Sequence, residues 1–365
     1  MSKFAKNPDM AITKFKFEGE TNNYRPFGKG HINATFLVER KLPENGMRRY
    51  ILQVINKNAF KEPEKVIDNI QRVTTFLSEK ASDERSVMSI IPTVTGDYYY
   101  RDEDGDFWRA YTFVENSLCI ENPDNANDFK QCALAFGRFQ QSLNDFPADE
   151  LYETIADFHN TPKRYENFLK AVEEDVCSRA ADVKEEIEFV KARKDFYSVL
   201  FDAYNAGKLP LRVTHNDTKC NNALLDSTTH EALCVIDLDT IMPGFSVNDF
   251  GDAIRFGANT AAEDEKDLSK VKLDMALYDA YADGYIEGCG NLMSADEIML
   301  LPEGSKMMTI ECGMRFLTDY LSGDTYFRTE YPEHNLDRCR TQFKLVEEME
   351  KHWDEMKTIV KKYIK

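Results

Sequence analysis

The chain has 365 residues and a formal net charge of −18, from 46 lysines and arginines against 64 aspartates and glutamates. Its length suits two lobes better than one core, and its acidity argues against nucleic acid or an anionic membrane surface as partner. No apolar run approaches the roughly 18 residues of a membrane span. The first residues lack the apolar core of a secretory signal, so we expect a cytoplasmic protein.

The eight cysteines are scattered along the chain, without a C-x-x-C pair or a histidine at ligand spacing. This pattern predicts reduced thiols rather than a metal-thiolate site. The sequence leaves the oligomeric state open, and a monomer is compatible with it.

The first third of the chain reads as antiparallel strands. Residues 34–39 and 50–55 are rich in β-formers and are joined by a turn containing Asn-Gly at 45–46, a strong hairpin signal. Residues 98–101 and 107–114 predict a second hairpin around an acidic turn. Apolar residues at helical spacing predict a helix between the hairpins. They are Val66, Ile70, Val73 and Leu77.

The rest of the chain reads as mainly helical. Helical patterns cover residues 129–146, 164–205 and 340–365, the last with one apolar stripe that we expect to pack against its own lobe. We therefore predict an α+β protein: a small antiparallel-sheet lobe over residues 1–115 and a larger, mainly helical lobe over residues 116–365.

The strongest functional signal is a polar segment in the second half of the chain. His215, Asp217 and Asn222 stand in the frame H-x-D-x-x-x-x-N, and Asp237 follows fifteen residues after Asn222, behind the apolar run 233–236. This is the layout of a kinase catalytic loop followed by a metal-holding aspartate. The first frame alone is a weak pattern that an ordinary polar loop could carry. The second aspartate, at this interval behind a strand, favours a kinase.

Each polar residue of this segment has a predicted role. Asp217 is the candidate catalytic base, and Lys219 could neutralise charge on the transferring phosphoryl group. Asn222 and Asp237 offer hard oxygen ligands for Mg²⁺ on the ATP phosphates. If the strand continues, Asp239 lies on the same face as Asp237, so it is either a further metal ligand or a supporting or surface acid.

Two acidic residues close behind this segment have a simpler explanation. Asp249 and Asp252 could be catalytic, but capping the N-terminus of the following helix is the simpler role for such residues.

A nucleotide site is predicted in the first lobe. Gly28 and Gly30 flank a single residue, which permits a tight turn whose N–H groups could face phosphate. An ordinary turn is the alternative, and His31 beside it could contact substrate or solvent. Phe113 and Val114 lie at the predicted hinge, where a two-lobed kinase would hold adenine.

One expected kinase residue is missing from the third strand. Gln53 stands where a kinase usually carries a lysine that pairs the α and β phosphates. A glutamine can donate a hydrogen bond to phosphate but brings no charge. Lys57 could substitute from a distance.

Several blocks together resemble the aminoglycoside phosphotransferase and choline kinase superfamily, and within it the N-acetylhexosamine 1-kinases. They include GHINATFLV, YILQVIN, RVTHNDTKCNN, IDLDTIMPG, DFGDAIRFGANTA and ECGMRFLTDYL, and the resemblance runs from about Phe15 to Met356. It implies a two-lobed protein-kinase-like fold and ATP- and Mg²⁺-dependent phosphorylation of the anomeric hydroxyl of N-acetylglucosamine and N-acetylgalactosamine. Gln53 stands in the same frame in that family.

The resemblance also implies the residues of the sugar site. His31 and Arg315 would contact the sugar, and the guanidinium of Arg315 could offer a fork of donors to hydroxyls or to the acetamide carbonyl. Phe256 and Tyr24 would be walls of the pocket.

Two other readings stay open at this point. One is a kinase for another small alcohol, such as choline, ethanolamine, methylthioribose or an aminoglycoside, whose site would use acids and aromatic rings to hold a cation. The other is a kinase-like binding module without activity. The missing lysine favours that reading, and the intact set of Asp217, Asn222 and Asp237 argues against it.

Overall fold

A computed structural model describes residues 6–28, 33–123 and 125–364. The chain forms two compact units. The first contains the residues up to Leu118 together with the segments 145–155 and 224–242. The second contains the segments 119–144, 156–223 and 243–365. The predicted boundary after residue 115, as a division of roles between two lobes, stays a prediction.

The first unit is built on an antiparallel sheet of six strands. The central strands follow the order β1-β2-β3-β6-β4, and β5 pairs with β6. Their bounds are β1 Glu20–Pro26, β2 Ala34–Lys41, β3 Met47–Val54, β4 Ile90–Ile91, β5 Tyr100–Arg101 and β6 Phe107–Thr112. Both predicted hairpins are therefore present.

The first hairpin turns differently from its sequence signal. Asn-Gly turns usually place both residues at positive φ, but here Glu44 and Asn45 are left-handed, with φ of 65° and 62°. Gly46 is extended, with φ −67°. In the strands, Val38 and Leu52 are fully buried. This burial fixes the register, because a slip of one residue would bring polar side chains into the core.

Two helices and a smaller sheet accompany the six-stranded sheet in the described residues. The predicted helix between the hairpins is α2, Pro63–Lys80, and its buried stripe contains all four predicted residues. A short helix, α1 at Asp9–Ile12, precedes the sheet. A three-stranded sheet has the order β10-β9-β7. Its strands are β7 Ser117–Cys119, β9 Ala223–Asp226 and β10 Ala232–Val235.

The second unit is mainly helical, as predicted. Its helices are α3 Ala126–Ser142, α4 Thr161–Glu174, α5 Lys184–Lys191, α6 Val199–Asn205, α7 Ser246–Gly257, α8 Met275–Cys289, α9 Ala295–Met299, α10 Leu301–Leu321, α11 His334–Lys351 and α12 Trp353–Lys361. The short strands β8 Arg212–Thr214 and β11 Met242–Gly244 pair with each other. Within the described ranges, no helix has both the length and the apolar character needed to cross a bilayer.

Two of the predicted helical patterns are divided in the structure. The pattern over 164–205 contains parts of three helices. The C-terminal pattern is two helices that meet at His352. The predicted apolar stripe nevertheless continues across that break, since Met349, Met356 and Val360 are fully buried.

Close packing of α3 against α8 depends on glycines at the contact. A Cβ atom added at Gly137 would lie 2.4 Å from the carbonyl oxygen of Tyr285 and 2.9 Å from the amide nitrogen of Cys289. Both are backbone atoms, which cannot rotate away as a side chain could. The two helices can approach this closely only while position 137 has no side chain.

We therefore expect Gly137→Ala to lower the free energy of unfolding by about 1–3 kcal/mol, the usual cost of overpacking, although alanine is the better helix former. Urea unfolding followed by circular dichroism would measure the change. Asn127→Ala, at an exposed position on the same helix, is the control and should change stability by less than about 0.5 kcal/mol. An unchanged Gly137→Ala variant would contradict the close packing.

Candidate functional site

The catalytic-loop segment holds Asp217 between two side-chain partners. Lys219 Nζ lies 3.1 Å from one carboxylate oxygen of Asp217, and Asn222 Nδ2 lies 3.2 Å from the other. The same Nδ2 also donates to the Asp217 carbonyl at 2.9 Å, so the Asn222 oxygen is the atom left to act as an acceptor or metal ligand. His215 is fully buried, and its Nδ1 accepts the Asp217 backbone N–H at 3.3 Å.

Lys219 keeps its proton in this setting. Burial lowers the pKa of its ammonium group, but the carboxylates of Asp217 and Asp252 outweigh burial and leave the pKa above its usual value. The ammonium group also lies 4.9 Å from the centre of the Phe256 ring. The predicted catalytic lysine and the predicted pocket wall at Phe256 are therefore neighbours.

Asp249 braces the backbone of the catalytic loop from inside the second unit. Its carboxylate accepts the N–H of His215 at 2.9 Å, the N–H of Asn216 at 2.8 Å and Nε2 of Gln140 at 2.9 Å. Asn216 is left-handed, with φ 64°, so this turn costs energy unless its surroundings hold it. The predicted helix-capping role was wrong, because α7 begins three residues earlier, at Ser246.

Asp252, one turn further along α7, also supports the loop rather than capping a helix. It accepts the N–H of Thr218 at 3.1 Å and pairs with Arg255 at 2.9 Å. Burial raises the pKa of this carboxyl group, but Arg255, Lys219 and, more weakly, His159 lower it below its usual value. Sequence reasoning missed this role because the partner backbone lies 34 residues away along the chain.

The metal candidates Asp237 and Asp239 both belong to the first unit, and neither lies on a strand. The prediction that strand alternation sends them to one face was wrong, because β10 ends at Val235. Asp237 is exposed and left-handed, with φ 61° and ψ 58°, and Asp239 lies in the 3₁₀ turn Leu238–Thr240 that follows. A carboxylate at Asp237 suits a hard cation such as Mg²⁺, as does the carboxamide oxygen of Asn222.

Asp239 and Gln53 have protein partners in the first unit. Asp239 is 5% exposed, accepts Nδ2 of Asn33 at 2.6 Å and forms an ion pair with Arg109. Gln53 donates from Nε2 to Thr35 Oγ1 at 3.1 Å and accepts from Arg109 at 2.9 Å. The roles predicted for both residues, as metal ligand and phosphate donor, stay predictions.

The other nucleotide candidates are described in part. Gly28 has φ +75°, with no atom within 4 Å of an added Cβ, whereas Gly30 and His31 lie outside the described residues. The Phe113 ring lies 4.2 Å from the Arg49 guanidinium and makes an edge contact with Phe27 at 5.9 Å. The side chain of Val114 is buried. Contact of any of them with a nucleotide stays a prediction.

Arg315 lies among aromatic rings in the second unit. Its guanidinium is 5.5 Å from the ring of Phe158 and 5.8 Å from that of Tyr326. Nearby, Glu311 accepts from His159 at 2.9 Å. Burial and the charge of Arg315 lower the pKa of Arg164. The sequence flagged Arg315 only through its resemblance to known kinases, because a lone arginine in a helix usually lies on the surface.

Tyr24 is the sugar candidate found in the first unit. It pairs with Val38 across β1 and β2 and packs partly against the core of the sheet. A hydrogen bond to Asp9 raises the pKa of its hydroxyl. The predicted contact with sugar stays a prediction.

The bracing by Asp249 leads to a test. In Asp249→Asn, one acceptor oxygen becomes an NH₂ group that faces a backbone or side-chain N–H, and an unsatisfied buried donor costs about 1–3 kcal/mol. We expect the free energy of unfolding in urea to fall by that amount. Asp354→Asn, at an exposed helix position, should leave it unchanged. Equal stability of both variants would contradict the bracing role.

Several solved structures of similar fold are named as kinases. A microcompartment-associated aminopropanol kinase superimposes with a TM-score of 0.60 and 16% identity, over 95% of this chain and 97% of that chain. An amicoumacin kinase in complex with AMP-PNP and Ca²⁺ superimposes with a TM-score of 0.61 and 12% identity, over 94% of each chain. A choline kinase from Cryptosporidium parvum Iowa II superimposes with a TM-score of 0.56 and 14% identity, over 93% of this chain and 92% of that chain. At these identities the likeness shows the fold, and the predicted protein-kinase-like fold is confirmed.

The sequence itself also carries a family pattern. Residues 23–292 match the pattern that defines the phosphotransferase enzyme family, and this stretch contains the whole catalytic-loop segment and the turn with Asp237. Because the match covers most of this chain, the chain is a member of the phosphotransferase enzyme family.

Proposed function

We propose that this protein is an ATP- and Mg²⁺-dependent kinase that transfers the γ-phosphoryl group to the anomeric hydroxyl of N-acetylhexosamines. The observation that carries the kinase assignment is the arrangement around Asp217. Its carboxylate is oriented by Lys219 on one side and Asn222 on the other. The family match supports the class of reaction.

In this proposal Asp217 is the base. The anomeric hydroxyl is too weak an acid to attack unaided, so a carboxylate at hydrogen-bond distance orients it and takes its proton. The sugar oxygen then forms a bond to the γ-phosphorus, and the bond from that phosphorus to the bridging oxygen of ADP breaks. Lys219 cannot compete for the proton because it is already protonated, and its charge can stabilise the transferring group.

Asn222 and Asp237 are the proposed ligands of Mg²⁺. A bound magnesium ion would neutralise charge on the phosphates and orient them. The bonds from Asn222 Nδ2 to Asp217 couple the base and the metal ligand within one short segment. The amicoumacin kinase of similar fold was solved with AMP-PNP and Ca²⁺, which supports a nucleotide with a divalent cation.

The guanidinium group of Arg315 supports an acceptor that offers oxygen atoms. Arg164 lies close enough for the charge of Arg315 to lower its pKa, and the carboxylates of Glu311 and Asp157 act on Arg164 as well. This part of the second unit therefore holds charges of both signs. Sugar hydroxyls and an acetamide oxygen can accept hydrogen bonds from arginine, whereas the ammonium group of choline cannot.

A kinase for a small amino alcohol is the second candidate. It is favoured by the aminopropanol and choline kinases among the structures of similar fold. It is also favoured by the aromatic rings of Phe158 and Tyr326 beside Arg315, because such rings can hold a cation.

Phosphorus NMR of the purified protein with ATP and Mg²⁺ separates these functions. N-acetylglucosamine, N-acetylgalactosamine, choline and 1-amino-2-propanol would be supplied in parallel. We expect a new phosphate signal coupled to the anomeric proton of the sugars alone. A signal with the amino alcohols alone would support the kinase assignment but show that the acceptor is an amino alcohol rather than a sugar. Silence with all four would contradict both candidates.

The role of Asp217 is tested by Asp217→Asn. Removing a catalytic base costs about 10²–10⁴-fold in rate, so we expect kcat to fall by at least the lower figure while binding of AMP-PNP persists. Asp296→Asn, at an exposed position, is the matched control and should keep full activity. Undiminished turnover in Asp217→Asn would remove Asp217 from the base role.

The role of Arg315 is tested by comparing two Michaelis constants. A hydrogen bond to a charged group contributes about 1.5–3 kcal/mol, so Arg315→Ala should raise the sugar KM about 10- to 100-fold and leave the ATP KM within twofold. Arg328→Ala, at an exposed arginine, should change neither constant. An equal rise in both constants for Arg315→Ala would place Arg315 outside the acceptor site.

A further inference from the structure

Position 53 of the third strand supplies no cation for a phosphate site. Gln53 uses both ends of its carboxamide for protein contacts, with Thr35 and with Arg109. Lys57, just beyond the strand, pairs with Asp106 at 2.8 Å and donates to the carbonyl of Gly105 at 3.1 Å. These contacts tie Lys57 to the second hairpin.

A cation does lie directly opposite, on the neighbouring strand. Arg109 of β6 pairs in register with Gln53 of β3 and is 1% exposed. Its Nε and Nη2 atoms donate to Gln53 Oε1 at 3.2 and 2.9 Å, and Nη2 also forms an ion pair with Asp239. A buried guanidinium is stable only when it is paired in this way, so a positive charge is held opposite Gln53, one strand across the sheet.

The acid that Arg109 holds belongs to the turn that carries Asp237. Asp239 is fixed a second time, by Nδ2 of Asn33 at 2.6 Å, and Asn33 is itself tied to the backbone N–H of Asn56 at 3.0 Å. Asp237 has a left-handed backbone, which costs about 1–3 kcal/mol unless its surroundings impose it. The 3₁₀ turn anchored at Asp239 is the element that can impose it.

We infer that Arg109 is a positioning residue for the metal site: through Asp239 it fixes the turn that presents Asp237 to magnesium. The inference rests on the proposed kinase function. Asp239 then acts as the anchor of the turn rather than as a metal ligand, because its charge is already balanced by Arg109 and one oxygen is occupied by Asn33. The charge of Asp237 also acts on Arg109, so the two residues are close enough for this coupling.

The experiment measures binding of AMP-PNP by calorimetry over a series of Mg²⁺ concentrations, which needs no acceptor. Removing one member of a buried ion pair leaves a lone charge and can unfold a protein, whereas removing both often does not. The variants are therefore Arg109→Lys, which keeps the charge but loses the planar fork, and the double variant Arg109→Met/Asp239→Asn. Thermal melting confirms that each is folded.

We expect the double variant to need about tenfold more Mg²⁺ for half-maximal nucleotide binding, as is usual when a group that orients a metal ligand is lost. Arg109→Lys should shift in the same direction by a smaller factor of about three. The control is Arg212→Met/Glu297→Gln, which removes a partly buried ion pair joined by two contacts of 2.9 Å. It should leave the Mg²⁺ requirement unchanged.

Two results would overturn the inference. One is a folded double variant with the Mg²⁺ dependence of the wild type. The other is a folded Arg109→Lys variant with unchanged Mg²⁺ dependence, which would mean that Asp239 acts on the metal directly and that Arg109 only fills space. If the double variant does not fold, Arg109→Lys alone decides. Failure of the proposed function looks different: the wild-type protein itself would then bind no AMP-PNP at any Mg²⁺ concentration.

Discussion

The loop that carries Asp217 is held by one buried carboxylate, that of Asp249. Two successive backbone N–H groups, of His215 and Asn216, point to it. Asn216 has a left-handed backbone at this turn. The turn is stabilised because the Asp249 carboxylate accepts hydrogen bonds from both buried N–H groups. Asp217 is the next residue, so the backbone that carries the proposed base is held by a carboxylate buried inside the second unit.

The same arrangement recurs in the first unit with other residues. There Asp239 anchors a turn with a left-handed residue, Asp237, and is itself held by Arg109 and Asn33. In both units an acidic side chain that is at least nine-tenths buried lies beside a left-handed backbone and near a partly or fully exposed residue with a proposed function. Rigid support of this kind keeps a catalytic or metal-binding group in place without using the group's own lone pairs.

The lysine missing from β3 has a structural context that the sequence does not show. Gln53 of β3 carries no charge, and Arg109 carries a positive charge at the opposite position of β6. Directly opposed residues of antiparallel strands are close neighbours. A comparison along the sequence finds only the uncharged residue at position 53, whereas the sheet shows an arginine beside it.

The sequence alone determined the elements with strong periodicity and the segment in which functional residues follow one another closely. Both hairpins, helix α2, the helical second half and the frame of Asp217 and Asn222 could all be predicted, because each depends on neighbours within a few residues. Tertiary structure decided the rest. Asp249 accepts hydrogen bonds from backbone groups 33 and 34 residues away, and Arg109 forms an ion pair with Asp239. Both are contacts between segments far apart in the chain. The end of β10 before Asp237 was likewise visible only in the structure. Pattern and spacing do not specify such contacts, since they form only when the packing of whole elements brings the partners together.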